Sequence, residues 1–264
     1  MLKMILILLI PLSIFAKVHY AKVEPYESVM LKSSVSGLVT RVDLSLEGTM
    51  VDSKKVIQID DALDKLNLKS SNKSVKLLEE MLKINKEIEK SLKKSSNKQQ
   101  NHFKRISRLS TSSKAQKDSA FNAFVSAKTK YLSTREKIVN LEKQILDIRY
   151  KIAQLKDSIN KKSISLENKY LYKLMVSKGD FVNPGSSLAQ IKNANRAKLT
   201  LFLESEEIKD IEEKIVYIDG EKTDYKVNKV WRIADEKFIS SYRAEIYIPA
   251  PKRSFSKLIK VEIK

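Results

Sequence analysis

The chain has 264 residues, with 51 Lys and Arg against 32 Asp and Glu, a formal net charge of +19, and only 5 Gly and 5 Pro. So little Gly and Pro argues against a turn-rich all-β chain or a proline-rich disordered one. The lack of Cys removes disulfides, thiol nucleophiles and thiolate metal sites, and two distant His, His19 and His102, argue against a His-based metal site or catalytic triad.

The N-terminus reads Met1-Leu2-Lys3, then an apolar run from Met4 to Phe15, then Ala16. One positive residue, an apolar core and a small residue at a cleavage point have the design of a secretory signal peptide. Residues 1–16 are therefore expected to be a signal cleaved after Ala16, with an uncleaved anchor as the alternative. The run is shorter than the about 20 residues that span a hydrocarbon core. No Cys follows it to take a lipid. An exported, Cys-free chain fits the periplasm of a Gram-negative bacterium and weighs against DNA binding. So does the make-up of the basic excess, 42 Lys to 9 Arg, because modules that read nucleic acid lean on the Arg fork. No zinc-finger spacing, helix-turn-helix pattern or aromatic RNA-binding signature is present.

Residues 17–60 read as short alternating β-structure. Val35-Ser36-Gly37-Leu38-Val39 leads to Glu47-Gly48, a turn, then to Val51 and Val56-Ile57-Gln58-Ile59. Residues 61–163 hold no Gly and no Pro, which leaves helix as the expectation. Their second half carries a strict heptad seam: Ala120, Phe124, Ala127, Tyr131, Thr134, Ile138, Leu141, Ile145, Ile148, Ile152, Leu155 and Ile159. The first half is less regular. Leu78, Met81, Asn85, Ile88 and Leu92 keep the alternation, Ser95 and Gln99 interrupt it, and Phe103, Ile106 and Leu109 resume it. Ser110-Thr111-Ser112-Ser113 suits a turn and an N-cap. Two helices of similar length about one turn predict an antiparallel hairpin. At 1.5 Å per residue each arm is ~70 Å long. Residues 61–163 carry 25 basic and 11 acidic residues, +14 of the +19. That is either a solvated coiled-coil exterior or a rod that faces an acidic partner.

Residues 164–195 return to β-structure, with Tyr170-Leu171-Tyr172, Lys178-Gly179-Asp180-Phe181-Val182-Asn183-Pro184-Gly185, Leu188 and Ile191. With Gly48 set over Gly179, Val51 falls on Val182 and Ile57 on Leu188, an approximate internal repeat. Residues 196–264 are expected to be β as well. Leu199, Leu201 and Leu203 alternate, Glu204–Glu213 reads as a short helix, Asp219-Gly220 as a hairpin turn, and 227–231 and 244–248 as strands. Trp231 reads as a core residue.

The order of signal, β half-motif, helical hairpin, second half-motif and further β resembles the periplasmic adaptors, or membrane fusion proteins of the HlyD type. The residues that carry the resemblance are Ser36-Gly37-Leu38-Val39 through Glu47-Gly48-Thr49-Met50-Val51, and Lys178 through Gly185. The resemblance implies an α+β fold: a long antiparallel coiled-coil hairpin inserted in a split lipoyl/biotinyl-like β domain, followed by a small β-barrel domain. Gly37, Gly48, Gly179 and Gly185 would form the lipoyl-like turns. A swinging-arm carrier is excluded, since no Met-Lys-Met or Asp-Lys-Ala stands between strands. The 69 residues after 195 leave little room for the further membrane-proximal β domain of many members, which is expected to be absent or reduced.

The function implied is non-enzymatic. The adaptor would link an inner-membrane transporter of RND or ABC type to a TolC-type outer-membrane channel for export (efflux). It would be a periplasmic homo-oligomer in the assembly, with no cofactor, no metal and no nucleic acid. No phosphate-binding Gly-x4-Gly-Lys loop is present, so energy would come from the transporter. At the hairpin tip, family members that dock on such a channel share Arg, Leu four residues on, and Ser seven further. Here Arg105 and Leu109 keep the first spacing but position 116 is Gln. Either Arg105, Leu109 and Ser113 act with one helical turn removed, or His102 and Ile106 take the first two places before Ser113. The plain alternative is that Ser113 only caps a helix and Arg105 is only solvated. For the whole chain, the alternative is an exported structural coiled-coil scaffold with no transport role.

Overall fold

The computed structural model describes residues 17–264 apart from Lys237 and Arg253; the segment 1–16, read as a signal, lies outside them. The chain forms two compact units. One is helical, Gln58–Ile164, and the other is made of β-structure, from the described residues up to Ile57 and from Ser165 onward.

In the helical unit, α1 spans Ala62–Arg108 and α2 spans Lys114–Lys162. They pack antiparallel. Every position of the heptad seam predicted for α2, Ala120 to Ile159, is buried or half-buried. The seam of α1 differs from the sequence expectation. It runs Asp64, Leu68, Ser71, Val75, Leu78, Leu82, Asn85, Glu89, Leu92, Ser96, Gln99, Phe103 and Ile106, alternating steps of 4 and 3 without a break, and all of these are buried or half-buried. Met81 and Ile88, expected on the seam, are exposed, and Leu82 and Glu89 take their places. Ser96 replaces Ser95, and Leu109 lies beyond the last turn. The physical reason is that α1 carries two apolar stripes one residue apart, and propensity cannot choose between them. Lys86–Glu142 at 2.8 Å and Arg149–Glu79 at 2.7 Å set the level at which the two helices meet. These pairs are about half exposed, so each adds only ~0–1 kcal/mol; their effect is on register. Asn85 is buried on the seam, and its amide donates to the Met81 carbonyl at 2.7 Å, so it is not orphaned.

The strands are β1 (Val18–Lys32), β2 (Gly37–Val42), β3 (Thr49–Val51), β4 (Lys54–Ile59), β5 (Ser163–Leu166), β6 (Lys169–Leu174), β7 (Phe181–Val182), β8 (Ser187–Leu203), β9 (Val216–Ile218), β10 (Glu221–Lys222), β11 (Val227–Ala234), β12 (Tyr242–Pro249) and β13 (Leu258–Ile263). Among the described residues they form a sheet ordered β10-β9-β13-β1-β8-β12-β11, to which β6 and β3 are added through β8, and a second sheet ordered β5-β4-β2-β7.

The two half-motifs pair reciprocally. β2 pairs with β7, and β3 pairs with β6. The Gly48 N–H donates to the Leu171 carbonyl at 2.8 Å, and the Gly179 N–H donates to the Val39 carbonyl at 2.9 Å. Gly48 and Gly179 have φ +75° and +101°, a region costly for any residue with a Cβ. Val51 and Val182, matched by the sequence repeat, are both buried, as are Ile57 and Leu188.

A second core lies further along β8. Leu199, Leu201 and Leu203 alternate inward with Ala21, Val23, Val216, Ala244, Ile246 and Val261. β8 runs unbroken through position 195, where a domain boundary was expected, and β1 follows it from Lys32 to Val23 before turning to pair with β13. Glu204–Glu213 is a run of turns rather than a helix. Asp210 stands at φ +52°, which breaks a helix, while Ile208 and Ile211 still pack on the core. Trp231 is half-buried rather than core. Its ring lies 4.3 Å from Lys229 Nζ and 4.7 Å from the Arg243 guanidinium carbon. Glu245, on β12, is buried and held by Lys198 at 3.1 Å and Arg243 at 2.8 Å. Burial raises its pKa, but the two cations outweigh that and keep it below the ordinary carboxylate value.

The seam assignment predicts a contrast. Ile145→Ala should cost about 2–5 kcal/mol in urea unfolding. Ile88→Ala, at an exposed position, should stay within about 0.5 kcal/mol of the parent.

Candidate docking site at the hairpin tip

Between the two helices lie only five residues, so the tip is tight. α1 ends at Arg108, and Leu109 is extended, its N–H donating to the Ile106 carbonyl at 3.2 Å. Ser113 caps α2. Its hydroxyl accepts the Gln116 N–H at 3.2 Å, and the Gln116 side chain accepts the Ser113 N–H at 2.9 Å. This is a capping box, which satisfies two orphan donors at once. Gln116, which breaks the family spacing in sequence, is thus the partner that holds Ser113.

Arg105 and His102 are exposed and neighbours, Arg105 Nη2 lying 3.2 Å from His102 Nδ1. A guanidinium only donates, so this His nitrogen accepts. Leu109 is 45% exposed. Arg105 and Leu109, four apart, stand one turn above the other at the end of α1. Ile106 points inward and is half-buried. The two alternatives therefore differ physically: Arg105 and Leu109 are both available to a partner, whereas the pair His102 and Ile106 is exposed only at His102. Below the tip, Phe103 stacks on Phe124 at 6.3 Å and tilts against Phe121 at 5.4 Å. These rings tie the ends of the helices together where sequence reading saw only a resumed seam. Between Lys93 and Asp118 there are eight basic residues and one acidic, so the tip presents a positive surface to an acidic or carbonyl-rich partner. Gly37, Gly48, Gly179 and Gly185 are in the β unit, where Gly185 has φ +92°.

A further feature of the hairpin was not read from the sequence. On α1, Leu63, Leu77, Met81, Ile84 and Ile88 are exposed, each one residue before a seam position. On α2, Phe121, Val125, Leu132, Val139 and Leu146 are exposed, each one residue after a seam position. One residue is a turn of about 100°. Because the helices are antiparallel, these offsets of opposite sign put the two stripes on opposite broad faces of the hairpin. The ion pairs Lys86–Glu142 and Arg149–Glu79 place residues 77–88 of one stripe level with Val139 and Leu146 of the other.

In sequence, no protein-family model and no curated protein matches the chain. In structure it is similar to MacA from Actinobacillus actinomycetemcomitans, with TM-score 0.71, 12% identity, and coverage of 94% of this chain and 78% of that one. It is also similar to the membrane fusion protein Spr0693 from Streptococcus pneumoniae R6, with TM-score 0.55, 9% identity, and coverage of 94% and 99%. The fold, two long helices between β-structure, is the one these proteins share. No helix among the described residues is long and apolar enough to cross a membrane.

Removing the Ser113 hydroxyl frees the Gln116 N–H and opens the box. Ser113→Ala should destabilise the hairpin by about 1 kcal/mol and raise amide hydrogen exchange at residues 113–116, with residues near Ile145 unchanged.

Proposed function

We propose that this chain is a periplasmic adaptor of the membrane fusion protein family, a non-enzymatic link between an inner-membrane transporter of RND or ABC type and a TolC-type outer-membrane channel. In this reading the reciprocal half-motifs are a lipoyl-like domain and the β8–β13 region is the small β-barrel domain. The observation that carries the reading is the pair of apolar stripes on opposite faces of one hairpin. A surface whose two complementary halves lie on opposite sides makes a heterologous contact, which closes into a ring or runs on as a filament. Hairpins set side by side, the α1 stripe of one copy on the α2 stripe of the next, bury about five apolar side chains per stripe and enclose a duct that a single hairpin cannot. A closed ring suits a conduit; an open filament is the arrangement of an exported scaffold with no transport role, the alternative reading.

At the end of that tube the tip meets the channel. Arg105 supplies donors to carbonyls or carboxylates, Leu109 fills a groove, and Ser113 fixes the turn that presents both. The exported substrate passes through the assembly and is not chemically altered.

The absence of Cys makes the assembly directly testable. In Met81→Cys/Leu146→Cys, oxidation should give a ladder of products that stops at one closed oligomer. Either single variant should give no cross-link. Dimers from a single variant would mean a two-fold contact and overturn the head-to-tail interface; an unending ladder would mean the scaffold. Docking is tested separately by Arg105→Asp. Co-purification of a TolC-type channel and export activity should fall at least about tenfold while the oligomer is unchanged; full retention of both would remove Arg105 from the role.

A further inference from the structure

Two further rows on the helical hairpin differ in chemistry. One residue after each seam position of α1, from Lys65 to Ser107, eight of thirteen positions are Lys and one is acidic, Glu79, a net +7. All eight lysines are exposed. Lys65 pairs with Asp61 at 2.9 Å and Lys86 with Glu142 at 2.8 Å. One residue before each seam position of α2, from Ser119 to Ser158, eight of twelve positions are Ser, Ala, Asn or Gln, with three Lys and one Asp, a net +2. Five of those eight are Ser or Ala. One row is thus long and charged, the other mostly short and neutral.

The ion pairs place these rows. Glu79, Arg149, Lys86 and Glu142 all stand one residue after a seam position, and they pair across the helices. The Lys row of α1 therefore shares one broad face with the apolar stripe of α2. The opposite face carries the apolar stripe of α1 and the small polar row of α2. When the α1 stripe of one copy covers the α2 stripe of the next, each broad face is covered over one helix and open over the other. The two contact directions lie ~100° from the seam, on opposite faces. A neighbour that meets both is displaced but keeps the attitude of the first copy, with a small turn per copy to close the ring. Every copy then leaves its Lys row open on one side of the wall and its small polar row open on the other.

We infer that the small polar row of α2 lines the duct and that the Lys row of α1 faces outward. This rests on the head-to-tail ring proposed above and deepens it. Two constraints decide the sense of curvature. On a concave wall the side chains of successive copies converge, and Ser and Ala leave room there that long Lys side chains would fill. Charge acts in the same direction. A concave wall turns every copy's Lys row toward the others across an enclosed space, where the field is focused and screening is weak. A convex wall spreads the same rows into solvent. The resulting lining offers hydroxyl and amide groups at little net charge, so it hydrogen-bonds a polar cargo without selecting its ionic sign.

Because the chain has no Cys, single cysteines can be read one at a time. Lys83→Cys and Gln144→Cys stand one on each row, both near the level of the Lys86–Glu142 pair, so depth along the hairpin is matched. Both positions are exposed in one hairpin, and either variant should keep the parental circular dichroism. The closed oligomer is isolated by gel filtration and treated with N-ethylmaleimide or with a maleimide borne on a globular protein. The small reagent should modify both variants. The large one should modify Lys83→Cys as fast in the oligomer as in the dissociated chain, and Gln144→Cys at least several-fold more slowly. Where either of these variants fails to assemble, Lys90→Cys and Ser133→Cys should give the same contrast. Protection of the Lys row instead, or equal modification of the two rows in a closed oligomer, overturns the inference and leaves the ring standing. An unending ladder from Met81→Cys/Leu146→Cys sinks the ring itself, and this inference with it.

Discussion

The reciprocal pairing of the two half-motifs is the contact on which the β unit rests. β2 needs β7 and β3 needs β6, and each strand of a pair lies on the far side of the helical insert. The bonds from Gly48 to Leu171 and from Gly179 to Val39 are equivalent under the repeat, allowing for its slip of one residue. Each glycine holds a backbone conformation that a side chain would strain. An insert of ~100 residues between such strands is tolerable because loop-closure cost rises only with the logarithm of length. Each doubling adds about 0.6 kcal/mol, less than one buried Val contributes. A long hairpin therefore costs the β unit little more than a short one.

In the helical unit, two kinds of apolar surface compete for one helix. α2 has a seam that is apolar or aromatic at every position but Thr134, and α1 answers it with Ser71, Asn85, Glu89 and Ser96 among its Leu, Val and Phe. Much of the aliphatic surface of α1 then faces outward at Leu77, Met81, Ile84 and Ile88. A monomer optimised for its own stability would have put those residues on the seam. Leaving them out weakens the hairpin alone; under the proposed adaptor reading they are the surface that a neighbouring copy covers.

The basic excess is also unevenly distributed. Along the hairpin shaft, part of it is used in cross-helix pairs such as Lys86–Glu142 and Arg149–Glu79. Toward the tip the acidic partners run out, and eight basic residues face one acidic. Charge that is partly paired on the shaft and unbalanced at the end would, in the proposed reading, steer an acidic partner to the end rather than to the side.

How much of this could be read from the sequence divides along physical lines. Local rules were sufficient for the helices: no Gly or Pro for a hundred residues, an unbroken 3.5 repeat in α2, and hydroxyl residues at the turn. They were sufficient for the Gly48 and Gly179 turns, because the conformation there depends on the residue itself. At the tip they gave Ser113 as a cap, but not Gln116 as its reciprocal partner, which needs a side chain placed in space. They failed wherever two local solutions were equally good. The seam of α1 was misplaced at Met81 and Ile88, since only the packing of α2 chooses between stripes one residue apart. Glu204–Glu213 was read as helix, since its composition suits one and only the path between β8 and β9 requires the turn at Asp210. The continuity of β8 past position 195 and the pairing of β1 first with β13 and then with β8 were invisible, because strand pairing joins residues more than 150 positions apart. The sequence by itself determined which segments are helix, strand and turn, since those follow from near neighbours. Tertiary structure alone decided which faces are buried and which are left open, since burial is fixed by partners that the chain meets only after folding.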